Sequence, residues 1–161
     1  MATFSGGFCP VSAQEVVATE QRLGVELPAD YKRFLCTING GCPSPYYFTV
    51  PDRGGAYADL LFGIAAKRVR NDLEYQQTEL VAPLPPGYIW IGRDPGANLL
   101  VLSTLGKSAG RVLFVDRGGF WVREPGVNTF QVTASFTEFI EGLRELPDAI
   151  GLNPPPDHGG E

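Results

Sequence analysis

The aspartates Asp52, Asp59, Asp94 and Asp116 stand beside short apolar runs, where carboxylates paired across a cleft would do acid/base work or hold a divalent metal. The partners such chemistry needs are scarce. The single histidine, His158, sits in a Pro/Gly-rich tail, which rules out a multi-histidine metal site and leaves no pre-organised Ser-His-Asp or Cys-His arrangement. Cys9, Cys36 and Cys42 are odd in number and contain no Cys-x-x-Cys pair, against both a disulfide framework and a zinc knuckle. Cys36 reads as a small buried hydrophobe, and nothing near Cys42 points to an activated thiolate. Gly92-Arg93-Asp94-Pro95-Gly96-Ala97-Asn98 has the spaced glycines of a phosphate loop, but a strand-like run follows it, and no Gly-Lys-Ser/Thr ending is present. A tight turn between strands is expected there, with loop aspartates serving turn chemistry. The expectation is therefore no catalytic set, no cofactor and no metal. The competing reading, a hydrolase using aspartates and a metal, requires the carboxylates to cluster in a concave pocket.

Binding chemistry is better represented. Tyr46, Tyr47 and Trp121 are of the types enriched at binding hot spots, so any left exposed mark a contact surface. Together with Asp52, Asp59, Asp94 and Asp116 they form the expected protein-binding set. The basic cluster Lys67-Arg68-Val69-Arg70 has Asp72 and Glu74 just downstream and reads as solvated surface.

These residues need a scaffold, and the chain is long enough to supply one. At 161 residues, 43% hydrophobic and 19% charged, it falls in the globular class. A single domain over residues 1–152 is expected, followed by a flexible Pro/Gly-rich tail over 153–161. No run approaches the ~20 apolar residues of a membrane span, and the N-terminus lacks signal-peptide features, so a cytoplasmic location is the expectation. The net charge of −5 opposes nucleic-acid binding and suits a basic protein partner. The oligomeric state is not encoded in any motif.

The clearest scaffold element is Leu27 to Gly41. Pro28 suits a first helical position and Asp30 complements the helix dipole. Tyr31, Phe34, Leu35 and Ile38 mark one buried face, and Asn39-Gly40-Gly41 forms the stop. Before it, Ser12-Ala13-Gln14-Glu15 predicts a capping box for a helix that buries Val16, Val17 and Leu23 and ends at Gly24. Joined tightly, the two helices form a hairpin. Strands are predicted at 46–50 and 60–64, a short helix capped by Asn71 follows, and a meander is predicted at 88–92, 98–102, 111–115 and 120–122. Ser135-Phe136-Thr137-Glu138 opens a closing helix with Phe136, Phe139, Ile140 and Leu143 on its apolar face, stopped by Pro147. The fold class is α+β: a mainly antiparallel sheet flanked by an N-terminal helical hairpin and a C-terminal helix.

The capped helix ending Leu23-Gly24, the Leu27-Pro28-x-Asp30-Tyr31 run, Phe34-Leu35, Asn39-Gly40-Gly41 and Ser135-Phe136-x-Glu138-Phe139 together resemble the SUKH superfamily over roughly residues 11 to 146. The run from Tyr88 through Asp94, Gly96 and Asn98 is similar to the family's glycine-rich turn, with Ala97 where a further glycine is common. That superfamily includes the fungal cell-wall-assembly regulator and bacterial immunity proteins of polymorphic toxin systems. The resemblance implies an α+β fold and a role without catalysis: binding and occluding a cognate toxin domain, of nuclease or deaminase class. The alternative it implies is a general scaffold or regulatory interaction module with no toxin partner. Motif residues would then be scaffold, with the partner surface in the loops.

Overall fold

A computed structural model of the chain describes residues 1–6, 8–80, 83–117 and 128–147. The two leading helices are α1, Ala13–Leu23, and α2, Ala29–Thr37. Ser12 caps α1 in a complete capping box, its hydroxyl accepting from Glu15 N at 3.2 Å while Glu15 Oε2 accepts from Ser12 N at 2.7 Å. Gly24 closes the helix in the left-handed conformation, at φ 68°. Val16 is buried as predicted. Val17 is 48% exposed, because it lies a helical step round from Val16; Thr19 takes the buried place instead. In α2, Pro28 occupies the N-cap rather than the first turn, and Tyr31, Phe34 and Leu35 are buried.

A hairpin of β3, Tyr47–Val50, and β4, Gly54–Tyr57, is antiparallel, as is the small pair of β1, Thr3–Ser5, with β2, Cys42–Ser44. The main sheet contains β5, Leu60–Leu61; β6, Tyr88–Arg93; β7, Leu99–Ser103; β8, Val112–Val115; and β9, Thr129–Thr133. Its spatial order is β5-β6-β7-β8-β9 with every pairing antiparallel, and short connections impose the meander at β6-β7-β8. All of β7 is buried, so the central strand is covered on both faces, matching its unbroken run Leu99-Leu100-Val101-Leu102. The strand predicted at 120–122 lies outside the described residues, as does the tail.

Between β5 and β6 lies α3, Leu73–Thr78. Its cap is Asp72, not Asn71: the Asp72 carboxylate accepts from Glu74 N and Tyr75 N, both at 3.0 Å, while Asn71 ends a preceding 3-10 turn, Val69–Asn71. From α3, the Gln77 amide donates to Trp90 O at 2.7 Å and accepts from Trp90 N at 2.9 Å, continuing the sheet edge where β5 stops.

The closing helix α4, Phe136–Glu141, is capped by Ser135. Here Glu138 accepts from Ala134 N at 3.1 Å rather than from the cap residue. The two sequence motifs meet across the core. Tyr31 and Phe136 pack edge-on at 4.8 Å, Phe34 and Phe136 at 5.0 Å, and Asp30 Oδ2 accepts from Thr137 N at 2.9 Å. Asp30 thus serves the first turn of α4, a role invisible along its own helix. The architecture is α+β, with an antiparallel sheet, an N-terminal helix pair and a C-terminal helix.

Candidate protein-binding surface

The helix stop Asn39-Gly40-Gly41 turns out to be a junction. Asn39, 2% exposed and at φ 64°, donates from Nδ2 to Cys9 O at 2.7 Å and Ile64 O at 2.8 Å, and accepts from Ile64 N at 2.8 Å. A Cβ on Gly40 would meet Leu61 O at 2.8 Å and one on Gly41 would collide with Ser5 O, so both glycines are fixed by close backbone approach as well as by positive φ. This motif is scaffold.

The turn from β6 to β7 is also self-contained. Asp94 Oδ1 accepts from Asn98 N and Oδ2 from Asn98 Nδ2, each at 2.8 Å, and Asn98 Oδ1 accepts from Arg117 N at 2.8 Å. Ala97 sits at φ 61°. With both oxygens occupied and 8% exposure, Asp94 has little surface to offer a partner, unlike the contact role expected from sequence.

The other expected residues that are described, Tyr46, Tyr47, Asp52, Asp59 and Asp116, gather on and around the β3-β4 hairpin. Tyr46 is 41% exposed, and its ring centroid lies 5.7 Å from that of Tyr57, which is 37% exposed; Tyr57 is 5.9 Å from Tyr47. The Arg144 guanidinium stands 5.2 Å over the Tyr47 ring and donates to Thr49 Oγ1. Asp52 is exposed on the hairpin turn at φ 62°. Asp116 is bound to Arg53 at 2.6 Å, and that guanidinium also lies 4.5 Å over Phe114. Asp59 makes a looser 3.7 Å pair with Arg93. Trp121 lies outside the described residues. Tyr57 escaped sequence reasoning, although Gly55-Ala56-Tyr57-Ala58 alternates as an exposed/buried strand should.

The carboxylates do not converge. Asp116 and Asp59 are each tied to a different arginine and Asp94 to its own turn, and among the described residues no group of three or more His, Cys, Asp or Glu could hold a metal ion. The Cys42 thiol is pushed up by burial and by Asp59, the reverse of thiolate activation. Lys67, Arg68 and Arg70 are exposed together with Val69. No helix among the described residues is long and apolar enough to cross a membrane.

The fold and the exposed groups define an α+β domain whose buried motif residues build a frame and whose accessible polar and aromatic groups lie on a hairpin and its adjoining loops. The chain belongs to the SMI1/KNR4 family (SUKH-1), whose pattern matches residues 10–142. It is 29% identical over 108 residues to YnaB of Bacillus subtilis (strain 168), an uncharacterized protein; the match covers 66% of this chain and 61% of that relative.

Proposed function

We propose that this chain is a cytoplasmic, non-catalytic binding protein of the immunity type, which neutralises a cognate toxin domain by stoichiometric occlusion. The observation that carries this reading is the β3-β4 surface. Tyr46 and Tyr57 are exposed and, with half-buried Tyr47, form a contiguous aromatic patch bracketed by Asp52 and Asp59, while the family's motif residues are consumed inside the frame. Tyrosine supplies large contact area at small entropy loss, and carboxylates at the rim suit a basic nuclease or deaminase, whose association opposite charge accelerates. Membership in a family that includes immunity proteins and a fungal regulator supports a binding role in either setting.

The test is co-purification with a toxin domain encoded beside the gene. A one-to-one complex that inhibits the toxin is expected, and Asp59→Lys should slow association and weaken the dependence on salt. Failure to bind any neighbouring toxin, with capture of several large partners instead, would replace this reading with the scaffold-module alternative.

A further inference from the structure

Among the described residues, the hairpin carries an open strand edge. Tyr47 N and O are both taken by Arg144, at 3.0 Å each, on the side of β3 away from β4, and Ala58 N donates to Tyr46 O at 2.8 Å. Main-chain groups alternate in direction along an antiparallel ladder, and Tyr47 opposes Tyr57 while Thr49 opposes Gly55. The N–H and C=O groups of Gly55 and Tyr57 therefore point away from β3. Among the described residues no strand pairs with that side of β4, and the one bond reaching it is a 3.4 Å contact from Arg53 to Gly55 O. Within the strand itself, Gly54-Gly55-Ala56-Tyr57 contains no lysine, proline or bulge to block pairing.

We propose that the β4 edge is a strand-addition site that receives a short extended segment of the partner protein, carrying basic residues near both its ends. Gly55 and Tyr57 supply two donors and two acceptors at the two-residue spacing that an incoming strand matches. The site has a defined length. Asp59 N donates to Arg93 O at 3.0 Å, so the end of β6 abuts the edge two residues past Tyr57 and limits the added strand to the length of β4. That stop also selects the occupant: a second copy paired symmetrically about Ala56 would drive its residue 53 into the place Arg93 holds. Charge gives the partner's chemistry, because exposed Asp52 lies at one end and Asp59, 46% exposed and paired with Arg93 only loosely at 3.7 Å, at the other. The exposed rings of Tyr46 and Tyr57 lie beside the edge to pack the incoming side chains. The inference rests on the binding reading above only for the source of the segment.

Two measurements decide it, neither needing the toxin. Amide exchange on the free chain should show Gly55 and Tyr57 exchanging fast while Ala56 and Ala58 are protected. If all four are equally slow, the edge is already filled and the proposal falls. The chain is then panned against phage-displayed random twelve-residue peptides. Enriched peptides should be basic, should protect the Gly55 and Tyr57 amides, and should bind Tyr57→Pro about tenfold more weakly than Tyr57→Ala, since the two differ in the outward N–H. Unchanged exchange at Ala56 and Ala58 shows that the variants fold. No enrichment, or peptides that bind the two variants alike, overturns the proposal and leaves the toxin-binding reading standing; a missing toxin complex alongside positive exchange and peptide results overturns only the latter.

Discussion

Replacing Asn39 should expose how much of the stability depends on one junction. Its amide makes three hydrogen bonds of 2.7–2.8 Å inside the protein, holding the end of α2 to Ile64 and to the segment before α1. Asn39→Gly keeps the left-handed conformation and deletes all three bonds. At about 1 kcal/mol net per bond, with the Ile64 N–H left buried and unpaired, the loss is about 3 kcal/mol. Asn39→Ala adds about 1 kcal/mol for a Cβ at positive φ. Asn39→Asp is isosteric but aims an oxygen at two carbonyl oxygens, so the buried carboxyl must keep its proton to donate. Its folded pKa is raised above the unfolded value of about 3.9, so the variant is most stable in acid. Its stability falls by up to about 1.4 kcal/mol per pH unit as the pH rises from there to the folded pKa. Urea melts at 25 °C, followed by circular dichroism, are the assay: with a slope of about 2 kcal/mol per molar, Asn39→Gly lowers the midpoint by about 1.5 M. A shift below about 0.5 M for the glycine variant, or an aspartate variant without acid recovery, would refute the reasoning.

The Tyr31 hydroxyl is buried without a hydrogen-bond partner among the described residues, and burial pushes its ionisation far above the ordinary range, so Tyr31→Phe should be neutral or stabilising by about 1 kcal/mol, read as a Tm rise of about 2–4 °C. Asp94→Ala removes both staples of the β6-β7 turn and should lower stability by about 2–3 kcal/mol in the same urea assay, whereas Ala97→Gly, relieving a positive φ at the expense of backbone entropy, should change it by less than about 1 kcal/mol. Glu74 accepts from Arg22 and Thr19, and the Arg22 bond holds its carboxyl below the ordinary glutamate range. Its contribution is therefore present above the unfolded pKa near 4.3 and lost as pH falls through the folded value. Because the pair is largely solvated, Glu74→Gln should flatten the acid limb of the stability curve by less than about 1 kcal/mol, measured between pH 3 and 6.

The helices were legible because their signals are local. Ser12 and Glu15, or Phe34 and Leu35, are neighbours within a turn whatever the rest of the chain does, so spacing alone places the caps of α1 and α4 and the buried face of α2, while for α3 it points one residue early, to Asn71. The central meander was legible for the same reason: long apolar runs separated by short turns admit only antiparallel neighbours. β9 was missed, since Thr-Phe-Gln-Val-Thr carries a weak alternation and becomes a strand by pairing with β8. β4 was missed likewise, two of its four residues being glycine. Of the expected contact residues, Tyr46, Tyr47, Asp52 and Asp59 share one hairpin region, Asp116 is tied to that hairpin through Arg53, and Asp94 is drawn into its own turn.

By itself, then, the sequence determined the α+β class, both ends of α1, the start of α4 and the family, all of which follow from interactions spanning a few residues or from motifs read in order; α4 ends at Glu141, before the stop expected at Pro147. Tertiary structure decided what those motifs do. Asp30 bonds the first turn of α4 across 107 positions, Asn39 clamps the turn at Ile64, 25 residues away, and Tyr57 meets Tyr46 because the hairpin turn folds one segment back onto the other. Such contacts depend on register and packing geometry, which are set only when distant segments bury their apolar faces against each other, and no local spacing along the chain records them.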